Sequence, residues 1–176
     1  MTASVEHAVE LELDGIAAGE VTALFDALEL AGVESLAASA PHVHPHVSVA
    51  VVRDAAPGLV ADVLSGVAAD PLPRLTLSSV GAFLAPATVL FLGVTPTTEL
   101  LSLNVAVHAR LDHAGISVRP IYRPGSYVPH CTLAMHPRAL DVAIRAVLAA
   151  PLPIEAAAVA MRVVEVPTGK VRATVG

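Results

Sequence analysis

Two histidines in near-identical surroundings are the residues of this chain best suited to chemistry. His46 lies in Pro45-His46-Val47-Ser48-Val49-Ala50-Val51, and His130 follows 84 residues later in Pro129-His130-Cys131-Thr132-Leu133-Ala134-Met135. Each copy is a proline, a histidine, an apolar residue, a hydroxyl residue and a short apolar run. Such runs read as strands, and side chains alternate faces along a strand. That parity puts His46 with Ser48, and His130 with Thr132. Val47, Val49, Val51, Cys131, Leu133 and Met135 then point the opposite way. Imidazoles titrate near neutral pH, so one of a pair can accept a proton while the other donates one. Neighbouring hydroxyls can hydrogen-bond the non-bridging oxygens of a phosphate. The set suits cleavage of a phosphodiester without a metal. In-line displacement needs base and acid on opposite sides of the phosphorus, which two facing strands would supply.

The remaining chain must position those strands. Residues 5–13 alternate His7, Val9, Leu11 and Leu13 with Glu6, Ala8, Glu10 and Glu12, the pattern of a half-buried strand. Asp14-Gly15 is expected to turn the chain. Val21, Leu24, Phe25, Leu28 and Ala31 recur at helical spacing up to Gly32. A loop through Pro41-His42-Val43-His44 leads to the first histidine strand. A helix with an inner face of Leu59, Val60, Val63, Leu64 and Val67 follows, ended by Asp70-Pro71-Leu72-Pro73. Strands near 74–84 and 87–94 flank Pro86, and Thr97 or Thr98 caps a long helix closed by Gly115. Residues 116–128 read as irregular and carry Arg119, Tyr122, Arg123 and Tyr127. After the second histidine strand come a helix over Leu140, Ile144, Val147 and Leu148, then Pro151-Leu152-Pro153. A strand pair near 154–166 and 170–175 turns at Pro167-Thr168-Gly169.

Both halves thus run histidine strand, helix, Pro-Leu-Pro, hairpin with a proline at its turn. The repeat spans about 44–94 and about 128–176 of a single domain covering residues 1–176. The expected fold class is α+β and bilobal: two pseudo-symmetric lobes of antiparallel-rich sheet, outer helices and a central cleft.

Composition narrows the partners. Hydrophobic residues make up 55% and charged residues 15%, with a mean hydropathy of +0.69, so a sizeable core is expected. No apolar run reaches the roughly 18–20 uncharged residues a membrane span needs. Leu75 to Val94, the best candidate, is broken by Gly81, Pro86 and several Ser and Thr. The segment Met1 to Glu12 has three glutamates and no basic cluster, unlike a signal peptide. Cys131 is the only cysteine, which fits a reducing cytoplasm. A net charge of −6 argues against coating extended nucleic acid but leaves room for a small phosphate ligand. Nine of the ten basic residues are arginine, suited to bidentate phosphate contacts.

The paired His-x-Ser and His-x-Thr strands in two repeated halves resemble the 2H phosphoesterase superfamily, specifically its 2′-5′ RNA ligase-like branch. The resemblance covers nearly the whole chain, including the hairpin from Phe83 to Val94 and the helix after it. It implies a bilobal fold and hydrolysis or transfer at 2′,3′-cyclic or 2′-5′ phosphodiesters, as in RNA 2′,3′-cyclic phosphodiesterases. It also implies no metal and no ATP or other cofactor. Carried over by position, His46 and His130 are the acid–base pair, and Ser48 and Thr132 bind the phosphate. The expected ligand is an RNA 2′,3′-cyclic phosphate end or a small cyclic nucleotide, bound by a monomer. Ser48 departs from the usual threonine but keeps the hydroxyl. Met135 replaces a residue that is basic in many relatives; Arg123 and Tyr127, in the loop before His130, are candidates to supply that contact, and His44 could line the cleft mouth.

Other readings use the same residues. A binding module could hold a nucleotide or RNA end without turning it over. His42, His44 and His46 alternate and could chelate a metal such as zinc, although Pro45 interrupts them and no acidic residue or cysteine stands close in sequence. A Ser48–His46 dyad shares parity but lacks a nucleophile elbow. His136, about 20 Å along the strand from His130, reads as a strand-end surface residue. His7, His108 and His113 read as surface or satisfied core residues, and Cys131 as pointing away from His130.

Overall fold

The computed structural model describes residues 5–40, 42–67 and 72–176. Within them the chain forms β1 (Glu6–Leu13), α1 (Gly15–Leu30), α2 (Leu36–Ser39), β2 (His46–Arg53) and α3 (Pro57–Leu64). Then come β3 (Arg74–Phe83), β4 (Val89–Val94), α4 (Thr98–His113), a 3-10 turn (Pro120–Tyr122), β5 (His130–Met135), α5 (Leu140–Leu148), β6 (Ile154–Val166) and β7 (Lys170–Val175).

The seven strands run antiparallel to their neighbours in the order β2-β1-β6-β3-β4-β5, with β7 also on β6. The long strand β6 joins two lobes. Its start, Ile154 to Ala157, pairs with β3, and its remainder pairs with β1 and β7. Asp14 sits at the crossover, where its carboxylate accepts the Ala157 N–H at 2.6 Å and those of Ile16 and Ala17. The fold is therefore α+β and bilobal, as expected.

The repeat in the sequence and the lobe in space do not coincide. β2, from the first half, belongs to the sheet of the second hairpin, β6–β7, while β5 lies beside the first hairpin, β3–β4. The two histidine strands are the outermost strands of the path. They nevertheless approach each other without sharing a ladder, so the sheet curls and its two ends meet at the centre. Strand twist makes this closure natural.

Burial explains why these segments adopt these elements. β2 runs from the half-buried His46 through a buried stretch to the exposed Arg53, and Val47, Val49, Ala50 and Val52 are fully enclosed. β5 alternates at its start: His130 and Thr132 are half-buried while Cys131 and Leu133 are buried, matching the expected parity. Helices α3 and α4 cover the β2 lobe, and α1 and α5 the other.

Three local expectations change. Asp14-Gly15 is the N-cap and first residue of α1 rather than a separate turn, because the Asp14 carboxylate satisfies two free N–H groups there. Helix α3 ends at Leu64, and Gly66, at φ 74°, carries the chain away from the helix, so its end does not depend on the prolines. Leu59, expected inside, is exposed. Asp70 and Pro71 lie outside the described residues, as does Pro41. The one-turn helix α2, capped by the Ser35 hydroxyl, is too short for periodicity to reveal.

Candidate active site

The two histidines are held in the same way. His46 Nδ1 lies 2.6 Å from the His44 carbonyl oxygen, and His130 Nδ1 lies 2.7 Å from that of Val128. A carbonyl only accepts, so each Nδ1 carries the proton and donates. Each Nε2 is thereby left as the nitrogen available for proton exchange. The proline at position 45 or 129 lies between ring and acceptor, and its fixed φ shapes both turns alike.

Their surroundings differ. His46 Nε2 faces the Glu10 carboxylate at 3.2 Å, with both side chains about one-seventh exposed. Burial pushes the Glu10 carboxyl above the usual range, against the pull of His46 and His44. His130 instead stands among rings: Phe83 edge-on at 5.0 Å between centroids, Phe91 at 5.2 Å and Tyr122 nearly parallel at 6.4 Å. Burial there lowers the His130 pKa, aided by the His46 charge and opposed by the Val128 carbonyl. Gly81 makes this packing possible, since a Cβ on it would meet the Phe91 ring at 2.5 Å.

A continuous cleft joins the two. Its first part is lined by Glu10, His46, Ser48 and Thr132, and its second, of about 360 Å³, by Phe83, His130 and Thr132. Arg119, Tyr122, Thr132 and Met135 line both parts, and Val51 the first. Val51 and Met135, expected on the opposite faces of their strands, reach the cleft because β2 and β5 each shift register after the hydroxyl residue. All four of His46, Ser48, His130 and Thr132 thus converge, Ser48 being the most deeply set at 8% exposed. His44 contributes its carbonyl to His46 while its own ring is exposed and borders a side recess of about 10 Å³, room for one water.

Arg123 and Tyr127, the candidates for a substrate contact, are both bonded to other parts of the protein. The Arg123 guanidinium forms two 2.9 Å hydrogen bonds to Asp112 on α4. The Tyr127 hydroxyl donates to the Ser48 carbonyl at 3.0 Å and so fastens the loop to the free edge of β2. Asn104 does the same, giving its amide to the carbonyls of Val49 at 2.9 Å and Tyr122 at 3.0 Å. Arg119 and Tyr122, rather than Arg123 and Tyr127, face the cleft. The run Ile116-Ser117-Val118-Arg119 held a signal for this. Ile116 and Val118 are buried, and alternation sends Arg119 the other way. Glu10 gave no such signal, because only the register, with Glu10 opposite Ser48 and Glu12 opposite His46, brings it to the site.

The other histidines fall into place. Among the described residues no group of three or more His, Cys, Asp or Glu side chains stands where it could hold a metal ion. His42 and His113 are exposed, as is His136, just past the end of β5. His7 and His108 are buried, and burial lowers the His108 pKa against the pull of the Val49 and Tyr122 backbone. Cys131 is fully buried and its thiol is pushed up to about 12, mainly by burial.

A family model described as the 2′-5′ RNA ligase superfamily matches residues 6–167. The chain belongs to that superfamily. Among solved structures, one described as a phosphoesterase aligns with a TM-score of 0.65 at 16% identity, covering 96% of this chain and 92% of that one. E. coli LigT in its apo form aligns with a TM-score of 0.52 at 14% identity, covering 98% and 95%. At these identities the two likenesses concern the fold. No curated protein matches the sequence. Among the described residues no helix is long and apolar enough to cross a membrane.

Proposed function

We propose that this member of the superfamily is a metal-independent phosphoesterase. In this reading it opens 2′,3′-cyclic phosphates, or 2′-5′ phosphodiesters, of RNA ends or small nucleotides. His46 and His130 are its acid–base pair, and Ser48 and Thr132 hold the phosphate oxygens. The observation that carries the reading is the matched anchoring of the two rings, each leaving Nε2 for a proton within one cleft.

The surroundings favour a division of labour. The ring-packed His130 favours its neutral form, as a base requires. His46 Nε2 faces the Glu10 carboxylate at 3.2 Å, a partner that would hold a protonated ring in place, as the acid's role needs. His130 then takes a proton from water as its oxygen attacks phosphorus. The bond from phosphorus to one ribose oxygen breaks, and His46 gives that oxygen a proton. The product is a phosphomonoester.

The test is incubation with 2′,3′-cyclic AMP, GMP, CMP and UMP in EDTA, with products separated by chromatography. A nucleoside monophosphate is expected from at least one. Absence of product between pH 5 and 9 would overturn the hydrolytic reading, and saturable binding without product would reassign the chain to a nucleotide-holding module.

A further inference from the structure

We propose that Arg119 is the charged contact for the substrate phosphate, in place of the basic side chain absent at Met135, and that the cleft accepts a ligand with a single phosphate. The proposal rests on the phosphoesterase reading and extends it to a residue and a substrate class.

Arg119 is placed and oriented for this. Its main-chain N–H donates to the Val51 carbonyl at 2.8 Å, tying it to the histidine strand β2. Its Nε donates to Glu6 Oε1 at 2.8 Å, and its Nη2 to Glu6 Oε2. Those bonds use one edge of the guanidinium and leave Nη1 without a protein acceptor among the described residues. Five donors in a rigid plane suit an arginine to hold a carboxylate on one side and a phosphate on the other. Glu6 also accepts from Arg53 Nε at 2.9 Å, so two guanidinium charges face one carboxylate and the group keeps a net positive charge.

No other cation competes. Among the described residues, Arg119 is the only Arg or Lys lining either part of the cleft. Arg162, on the far side of His46, is held by Glu12. The wall beyond Arg119 is apolar, with Phe83, Pro86, Val89, Ile121 and Val128 around His130. An anionic strand would need further positive charge along its path. This surface offers one guanidinium and then an apolar face, which fits one phosphate followed by a flat uncharged group such as a base.

The test measures binding of adenosine 2′-monophosphate and of adenosine by calorimetry to wild type, Arg119→Ala, Arg119→Lys and Glu6→Gln. Arg145→Ala, a change at an exposed arginine on α5, is the charge control. Losing a charge-assisted hydrogen bond should weaken the nucleotide about 10- to 100-fold in Arg119→Ala. Adenosine binding should stay unchanged. Arg119→Lys should recover part of the loss, and Glu6→Gln should weaken the nucleotide less than Arg119→Ala does. Arg53 still pairs with Glu6 in Arg119→Ala, so no buried carboxylate is orphaned; should that variant melt early, Arg119→Lys and Glu6→Gln carry the comparison. Nucleotide affinity within twofold of wild type in both, or equal losses for nucleotide and adenosine, would overturn the proposal. In parallel, a 2′,3′-cyclic mononucleotide should be turned over at least as well as a decanucleotide ending in the same group. A tenfold preference for the decanucleotide would overturn the single-phosphate claim. Wild type that binds but never turns over would sink the hydrolytic reading and leave Arg119 standing. Turnover unchanged in Arg119→Ala would do the reverse.

Discussion

The strands β2 and β5 carry the same motif, hold each histidine ring by the carbonyl two residues before it, and place the rings in opposite environments. His46 has a carboxylate against its outer nitrogen. His130 has two phenylalanines and a tyrosine around it. The difference teaches that a repeat sets geometry while its neighbours set protonation. One imidazole is given a carboxylate neighbour, and the other a lining that disfavours charge. A symmetric pair would have no reason to divide acid from base.

That comparison can be broken most forcefully at the rings themselves. His46→Ala and His130→Ala should each lower kcat by about 10²- to 10⁴-fold if both groups move protons. Steady-state rates on a cyclic mononucleotide measure this, and a variant that keeps wild-type rate removes its residue from the pair.

The pH profile sharpens the asymmetry. Burial lowers the His130 pKa, so the acid limb of kcat/KM should fall below about pH 6.5, the ordinary value for a free imidazole. Phe83→Ala would admit water to one side of the ring and should move that limb up toward 6.5. The same shift enters stability with a definite sign. A depressed histidine is protonated more readily in the unfolded chain, so its contribution is intact above pH 6.5 and is lost as pH falls through the folded value. A limb above 6.5 in wild type would contradict the role given to the aromatic lining.

The smallest expected effect lies on the other half. The Glu10 carboxyl is raised by burial, so ionising it works against the fold. Its contribution is complete below the unfolded value near 4.3 and declines as pH rises through the folded value. Glu10→Gln should remove that decline. The gap in Tm between Glu10→Gln and wild type should therefore shift in favour of the variant as pH rises from 4 to 8, by an amount set by a fraction of the few kcal/mol a buried carboxyl can cost. A constant gap across that range would show that Glu10 ionises freely in the folded protein.

Gly81 links this asymmetry to the backbone. It pairs opposite Phe91 across β3 and β4, and its missing side chain is where the ring lies. On the other flank Gly169, at φ 75°, lets the β6–β7 turn approach the backbone of Val43 just before His44, where a Cβ would meet Val43 N at 2.6 Å. Each histidine strand is therefore buttressed by a hairpin from the opposite half of the sequence.

The sequence by itself determined the strand parity that groups His46 with Ser48 and His130 with Thr132. It also set most of the element order and the repeat that makes two such strands. Those features follow from local periodicity and from proline and glycine punctuation, which act within a few residues. Only the tertiary structure decided that β2 joins the second hairpin and β5 the first, and that the two ends of the sheet meet. Only it selected Arg119 and Tyr122 over Arg123 and Tyr127, and singled out Glu10 among three similar glutamates on β1. These depend on pairing register and on which acceptor each side chain meets: Asp112 for Arg123, the Ser48 carbonyl for Tyr127, His46 for Glu10. Contacts between residues tens of positions apart leave no period in the chain, so spacing alone could not reveal them.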